Sequence, residues 1–149
     1  MPKLRWHAKR ERNAVLAVID TNILISALLT PGGIPARLIS AIRNRTLTPV
    51  VSENILAEYA EVLMRPKFRF ANDRTASLLE DMKGLALYLK PQPVLLQGLP
   101  DPDDAPFIIA ALTAGCPVFT GNSKHFPKEI GVEALSPAEA LVRLQNEFA

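Results

Sequence analysis

The segment Val15-Leu16-Ala17-Val18-Ile19-Asp20-Thr21-Asn22 limits what the rest of the chain can become. Five apolar residues in succession leave no polar face. A strand of that composition has to be buried on both sides, as in a parallel sheet covered by helices. The run ends in a carboxylate. Ligands of open α/β sheets bind beyond the carboxyl ends of the strands, so Asp20 stands where chemistry is done. A structural reading competes with it, in which Asp20 only caps the helix that begins with Thr21 and Asn22. The segment alone does not choose between the two.

The remaining pattern alternates strands with helices. Ile23 to Leu29 reads as a short helix broken by Thr30-Pro31-Gly32-Gly33. Residues 35 to 44 resume helical spacing through Leu38, Ile39 and Ile42, and Leu47 to Val51 is a second strand. Ser52 is an N-cap for a helix whose apolar face is Ile55, Leu56, Tyr59, Val62 and Leu63. At about 100° per residue, Glu58 falls on the flank of that face and Glu61 near its opposite side. The helix stops near Arg65-Pro66. Asp73 to Leu89 is expected to be helical, with Leu78, Leu79, Met82, Leu85 and Leu89 as its stripe, weakened at Gly84 and ended by Pro91 and Pro93. Val94-Leu95-Leu96 is the expected third strand.

Prolines and aspartates crowd Gly98 to Pro106, as suits the start of the helix that runs from Phe107 to Gly115. Val118-Phe119-Thr120 is a fourth strand and Val132 to Leu135 an edge strand. Ser136-Pro137-Ala138-Glu139 opens the last helix with a capping box. Strands and helices alternating in this way imply a parallel sheet covered on both faces.

With 149 residues, 48% hydrophobic and 21% charged, the chain is a globular domain with a sizeable core. The net charge of +2 sets up no field that demands a nucleic-acid partner. Charge is uneven, however. Lys3, Arg5, Lys9, Arg10 and Arg12 against Glu11 give residues 1–13 a charge of +4 and leave −2 for the remainder. Residues 1–13 therefore read as a basic N-terminal tail, either solvated or touching nucleic acid, and residues 14–149 as the domain. Cys116 is the single cysteine, which excludes an internal disulfide and reads as a core thiol. Asp20 and Asn22 interrupt the apolar stretch from Ala14 to Leu29, against both a signal peptide and a membrane span. A soluble, cytoplasmic protein is expected.

Asp20 ends the first strand, Asp104 opens a helix after the third, and Asn122 follows the fourth. All three lie at the carboxyl side of the sheet, and Glu58 can join them from its helix. Three carboxylates and an amide oxygen make an all-oxygen site. Clustered carboxylates repel and take up protons unless a cation is present. Hard oxygen donors suit Mg²⁺ or Mn²⁺. Two histidines and one cysteine do not suffice for a structural zinc site. A metal site of this kind can activate water for attack on a phosphodiester. The competing reading for each acid is a plain cap. Lys67-Phe68-Arg69-Phe70 alternates base and ring, which suits a grip on single-stranded nucleic acid or a linker with two buried rings.

Taken in order, Val18-Ile19-Asp20-Thr21-Asn22, Glu58-Tyr59-Ala60-Glu61-Val62-Leu63, Asp101-Pro102-Asp103-Asp104 and Thr120-Gly121-Asn122 resemble the PIN domain family. Arg65-Pro66-Lys67-Phe68 and Lys124-His125-Phe126-Pro127 resemble its VapC-like toxin-component branch. The resemblance runs from about residue 15 to 144 and rests on the ordered set. It implies a three-layer α/β/α fold around a mostly parallel twisted sheet of about five strands. It also implies a single-strand RNA endonuclease using Mg²⁺ or Mn²⁺, a cognate antitoxin protein as partner, a homodimer and no membrane. Asp20, Glu58 and Asp104 match the family acids, with Asp101 and Asp103 as alternatives to the last. Asn122 stands where the family has a fourth aspartate, and Asp101 is a substitute ligand for it. Thr21, Asn22, Thr120 and Ser123 would orient the acids, or else make only local cap and turn bonds. Lys67, Arg69 and Lys124 would contact RNA phosphates. His125 reads as a packing or capping residue rather than a base. Two other functions stay open: a PIN scaffold that lost activity through Asn122 and binds RNA or protein, and a phosphotransfer enzyme with Asp20 as nucleophile.

Overall fold

The computed structural model describes residues 14–92 and 96–148. Within them, five strands form one sheet: β1 (Val15–Ile19), β2 (Leu47–Val51), β3 (Leu87–Tyr88), β4 (Val118–Phe119) and β5 (Ala134–Leu135). Six α-helices accompany them: α1 (Thr21–Leu29), α2 (Ile34–Arg43), α3 (Glu53–Leu63), α4 (Asn72–Gly84), α5 (Ala105–Ala114) and α6 (Pro137–Phe148). The strand order is β3-β2-β1-β4-β5, and every pairing is parallel. The sheet is thus wholly parallel where the sequence led us to expect a mostly parallel one.

β1 lies at the centre because it is the most apolar strand. Ala17, Val18 and Ile19 are consecutive and point to alternate faces, yet each is fully buried, as are Val50 and Val51 of β2. Only a sheet covered on both sides can bury successive residues in this way, which makes the fold a three-layer α/β/α arrangement. α5 packs on β1, β2 and β4 through Phe107, Ile108 and Ala111, and α6 closes the chain against α2 and β5. Gly115 adopts a left-handed conformation (φ 66°) at the end of α5 and turns the chain toward β4. No single helix among the described residues is long and apolar enough to cross a membrane.

Local signals were accurate where a specific hydrogen bond backs them. Ser52 accepts from the Ile55 N–H at 3.3 Å. Ser136 and Glu139 cap each other reciprocally, at 3.2 and 3.0 Å. The stretch after α4 differs from expectation. The helix ends at Gly84, and Leu87–Tyr88, expected to be helical, form the edge strand β3 beside Val50 and Val51. Leu78 and Met82 do face the core, while Leu79, Leu85 and Leu89 are half-buried. Glycine is a poor helix former, and the open edge of β2 offers the next residues a ladder of hydrogen bonds instead. Val94 and Leu95 of the expected third strand lie outside the described residues, and Leu96 belongs to no regular element. The basic residues of 1–13 also lie outside them.

The side chain of Tyr59 ties α3 to the sheet. It is fully buried, leans on Phe107 of α5 with ring centroids 6.3 Å apart, and donates from its hydroxyl to the Ile19 carbonyl at 2.5 Å. Burial raises the phenol's pKa well above normal, so it stays a donor. Tyr59→Phe is expected to destabilise the fold by about 1–2 kcal/mol, read as a lower urea midpoint with unchanged slope, because a buried carbonyl loses its donor.

Candidate metal centre at the carboxyl end of the sheet

Asp20 follows β1 and precedes α1. Its carbonyl accepts the Ile23 N–H at 3.0 Å, but its carboxylate makes no capping hydrogen bond. The carboxylate instead accepts from the Thr120 hydroxyl at 2.6 Å, across one hundred residues of sequence. The parallel pairing of Ile19 with Phe119 places the next residue of each strand side by side. The Thr120 hydroxyl also accepts the Asn122 N–H at 2.9 Å, which fixes the direction of its own proton toward Asp20. Both Asp20 and Thr120 are buried.

Glu58 reaches the same region from α3. The Thr21 hydroxyl, at the first residue of α1, donates to Glu58 at 2.6 Å. Glu58 is half-buried and Glu61 exposed, as the helical spacing implies. Glu61 spends its charge on an exposed ion pair with Arg65 at 2.8 Å. Asn22 accepts the Gly121 N–H at 3.3 Å and so ties the start of α1 to the loop after β4.

The third group comes from the 3-10 turn Pro102–Asp104 that leads into α5. Asp101 caps the turn by accepting the Asp103 N–H at 2.9 Å. Asp103 is exposed, whereas Asp104 is buried with no capping bond of its own. The Asp104 carboxylate faces the His125 ring, whose Nδ1 lies 3.1 Å away. Donor atoms of Asp101, Asp104 and His125 all lie within 4.8 Å of one another. His125 is half-buried and meets the side chain of Asp104, the residue that precedes α5. Sequence offered a trace of this in Lys124-His125-Phe126-Pro127, since Phe126 is buried and anchors the turn that carries His125.

Asn122 and Ser123 are exposed, and neither side chain hydrogen-bonds to an acid among the described residues; Asn122 touches the network through its backbone N–H and carbonyl. Lys67, Arg69 and Lys124 are exposed. Phe68 and Phe70 stack on each other with centroids 5.4 Å apart, and the Lys67 ammonium sits 5.1 Å over Phe68. A cavity of about 390 Å³ between α1, α2 and α4, lined by Leu28, Ile39, Arg43, Arg74 and Leu78, contains none of these site residues.

The acids sense one another. Burial raises the pKa of Asp20, opposed chiefly by the Thr120 hydrogen bond. Burial raises Glu58 too, with Asp20 and Asp103 adding repulsion. Asp104 is pushed up to about 6 by burial and by the charges of Asp20 and Asp101, with His125 pulling the other way. Carboxylates raised by burial and mutual repulsion form a site short of positive charge. Two carboxylates and an imidazole that converge, beside two further carboxylates, are a donor set that fits a divalent cation.

A parallel α/β sheet with acids gathered beyond its strand ends defines a carboxylate-centred site of the kind that handles phosphate esters through a cation. Residues 16–123 match the family model described as a PIN domain, and the chain belongs to that family. PIN domains are generally nucleases. The chain is also 30% identical over 117 residues to the uncharacterized protein MJ1680 of Methanocaldococcus jannaschii, which covers 76% of this chain and 75% of that protein.

Asp104 yields a pH test on protein freed of metal by chelation. Its folded pKa exceeds the unfolded value, so its stabilising contribution is full below about pH 4 and is lost as pH rises through about 6. Asp104→Asn lacks that loss. Between pH 4 and 7 the stability difference between variant and wild type should shift by roughly 1–3 kcal/mol in favour of the variant, measured by urea titration at each pH.

Proposed function

We propose that the protein is an endoribonuclease of the VapC-like branch, dependent on Mg²⁺ or Mn²⁺, which hydrolyses phosphodiester bonds in single-stranded RNA. The observation that carries this reading is the pair of threonine bonds, Thr120 to Asp20 and Thr21 to Glu58, holding two acids beside the Asp101–Asp104–His125 group. Side chains that serve only as caps would not be held by dedicated hydroxyl donors from distant elements.

Asp20, Glu58 and Asp104 would hold the cation, with Asp101 as a further carboxylate and Asn122 assisting. When bound, such a cation polarises a phosphate oxygen and makes water a nucleophile near neutral pH. The raised proton affinity of the acids in the metal-free site marks where a cation would relieve their mutual repulsion. Thr21 and Thr120 keep the carboxylates aimed, Asn22 locks the start of α1 to Gly121, and Ser123 lies on the rim. Lys67, Arg69 and Lys124 supply exposed positive charge for the phosphate backbone, and the stacked Phe68–Phe70 pair that alternates with the first two gives a face for bases. A cognate antitoxin, a homodimer and a cytoplasmic setting belong to this reading through the resemblance to the VapC-like branch.

A second reading, a PIN scaffold that binds RNA or protein without cutting, is favoured by the exposed and uncharged Asn122. Cleavage assays separate the two. Single-stranded RNA should be cut with Mg²⁺ or Mn²⁺ and left intact with EDTA. Asp20→Asn should abolish cleavage while the circular dichroism spectrum is unchanged. Wild-type cutting by that variant would refute the site. Thr120→Val should lower the rate by about 10–100-fold, since it disorients Asp20 without removing it.

A further inference from the structure

His125 is the one nitrogen donor within the carboxylate group, and the turn that carries it is built to hold it there. The His125 N–H donates to the Asn122 carbonyl at 3.0 Å, and the Phe126 N–H to the Ser123 carbonyl at 3.0 Å. Asn122 is in turn pinned to Thr120, and Phe126 is buried in the core. Both ends of the turn are thus anchored, one to the ligand-bearing rim and one to the hydrophobic interior. On the other side, Asp104 is buried at the start of α5, and Asp101 is fixed by its bond to the Asp103 N–H. The separation of 3.1 Å between Nδ1 of His125 and Asp104 has two chemical meanings. It is a hydrogen bond, and it is also the spacing of neighbouring ligands on one ion, because bonds of about 2.1 Å at right angles set donors about 3.0 Å apart.

Asn122, at the position of the missing acid, is exposed and its side chain makes no hydrogen bond among the described residues, while His125, three residues later, lies against Asp104. We propose that the His125 imidazole is a direct ligand that stands in for the absent carboxylate and tilts the site from Mg²⁺ toward first-row transition cations, with Mn²⁺ as its working example. The inference rests on the metal-binding half of the proposed function and is independent of whether RNA is cut. The chemistry follows from donor type. Mg²⁺ demands hard oxygen ligands and keeps its water, whereas an imidazole nitrogen favours first-row transition metals. Exchanging a carboxylate for a neutral nitrogen also removes one negative charge, which weakens the electrostatic attraction on which Mg²⁺ binding depends most.

The test uses metal-free full-length protein with Mn²⁺ and Mg²⁺ alone. Mn²⁺ binding is followed by electron paramagnetic resonance, Mg²⁺ binding by competition against it, and coordination by pulsed spectroscopy of the Mn²⁺ complex. Wild type should show ¹⁴N coupling from a bound imidazole and should prefer Mn²⁺ over Mg²⁺ by at least about tenfold. His125→Ala should lose the coupling and most of the preference, mainly through weaker Mn²⁺ binding. His125→Asp should regain affinity with the preference shifted toward Mg²⁺. Mn²⁺ bound by wild type without ¹⁴N coupling, or with coupling that survives in His125→Ala, overturns the inference and leaves the metal site standing. Absence of any Mn²⁺ or Mg²⁺ binding overturns both the inference and the metal-dependent function.

Discussion

Asp20 and Thr120 lie one hundred residues apart in sequence and 2.6 Å apart in space. Nothing local brings them together. Parallel pairing of β1 with β4 does, because it sets Ile19 beside Phe119 and lets the next residue of each strand project into the same crevice. The rest of the site is arranged around that contact. The Thr120 hydroxyl gives its proton to Asp20 while accepting the Asn122 N–H, and the Asp20 carbonyl receives the Ile23 N–H in the first turn of α1. One hydroxyl thus joins strand register, helix start and loop conformation.

The site is also a problem in electrostatics that the fold solves by restraint. Like charges packed together in a half-dry crevice would drift apart or take up protons. Here short hydroxyl bonds hold Asp20 and Glu58, a cap holds Asp101, and an imidazole holds Asp104. The raised proton affinities record what is left unbalanced, and a cation would balance it. Fixing the acids in advance means that binding does not have to order them, so a cation recovers more of the attraction. The same arrangement costs stability when the site is empty, as expected of residues held for function rather than for the fold.

The parts of this molecule readable in sequence are those set by short-range rules. An unbroken apolar run makes a central strand, Ser52 and Ser136 cap helices through their own side chains, and helical spacing puts Glu58 at the border of a face and Glu61 outside it. What sequence could not show depends on distant partners. Leu87 and Tyr88 carry a helical pattern, and only the open edge of β2 makes them a strand. His125 has an ordinary polar surrounding in sequence, and its significance comes from Asp104, twenty-one residues earlier, which local spacing does not reveal. Among Asp101, Asp103 and Asp104, sequence left the choice open. The three-residue turn exposes Asp103 and brings the carboxylates of Asp101 and Asp104 together with His125.

The strand order also governs when the molecule comes into being. β1 precedes the other strands in the chain and sits in the middle of the sheet, but one of its two neighbours, β4, is made about a hundred residues later. Chain closure over such distances is slow, since the entropy of the loop is lost before the contact rewards it. A nascent chain that has released β1, β2 and α3 therefore exposes a bare edge and an incomplete set of acids. The crevice closes only after Thr120 has left the ribosome. The carboxylate site is therefore assembled only when β4, and the loop that carries Asn122 and His125 after it, pairs beside β1.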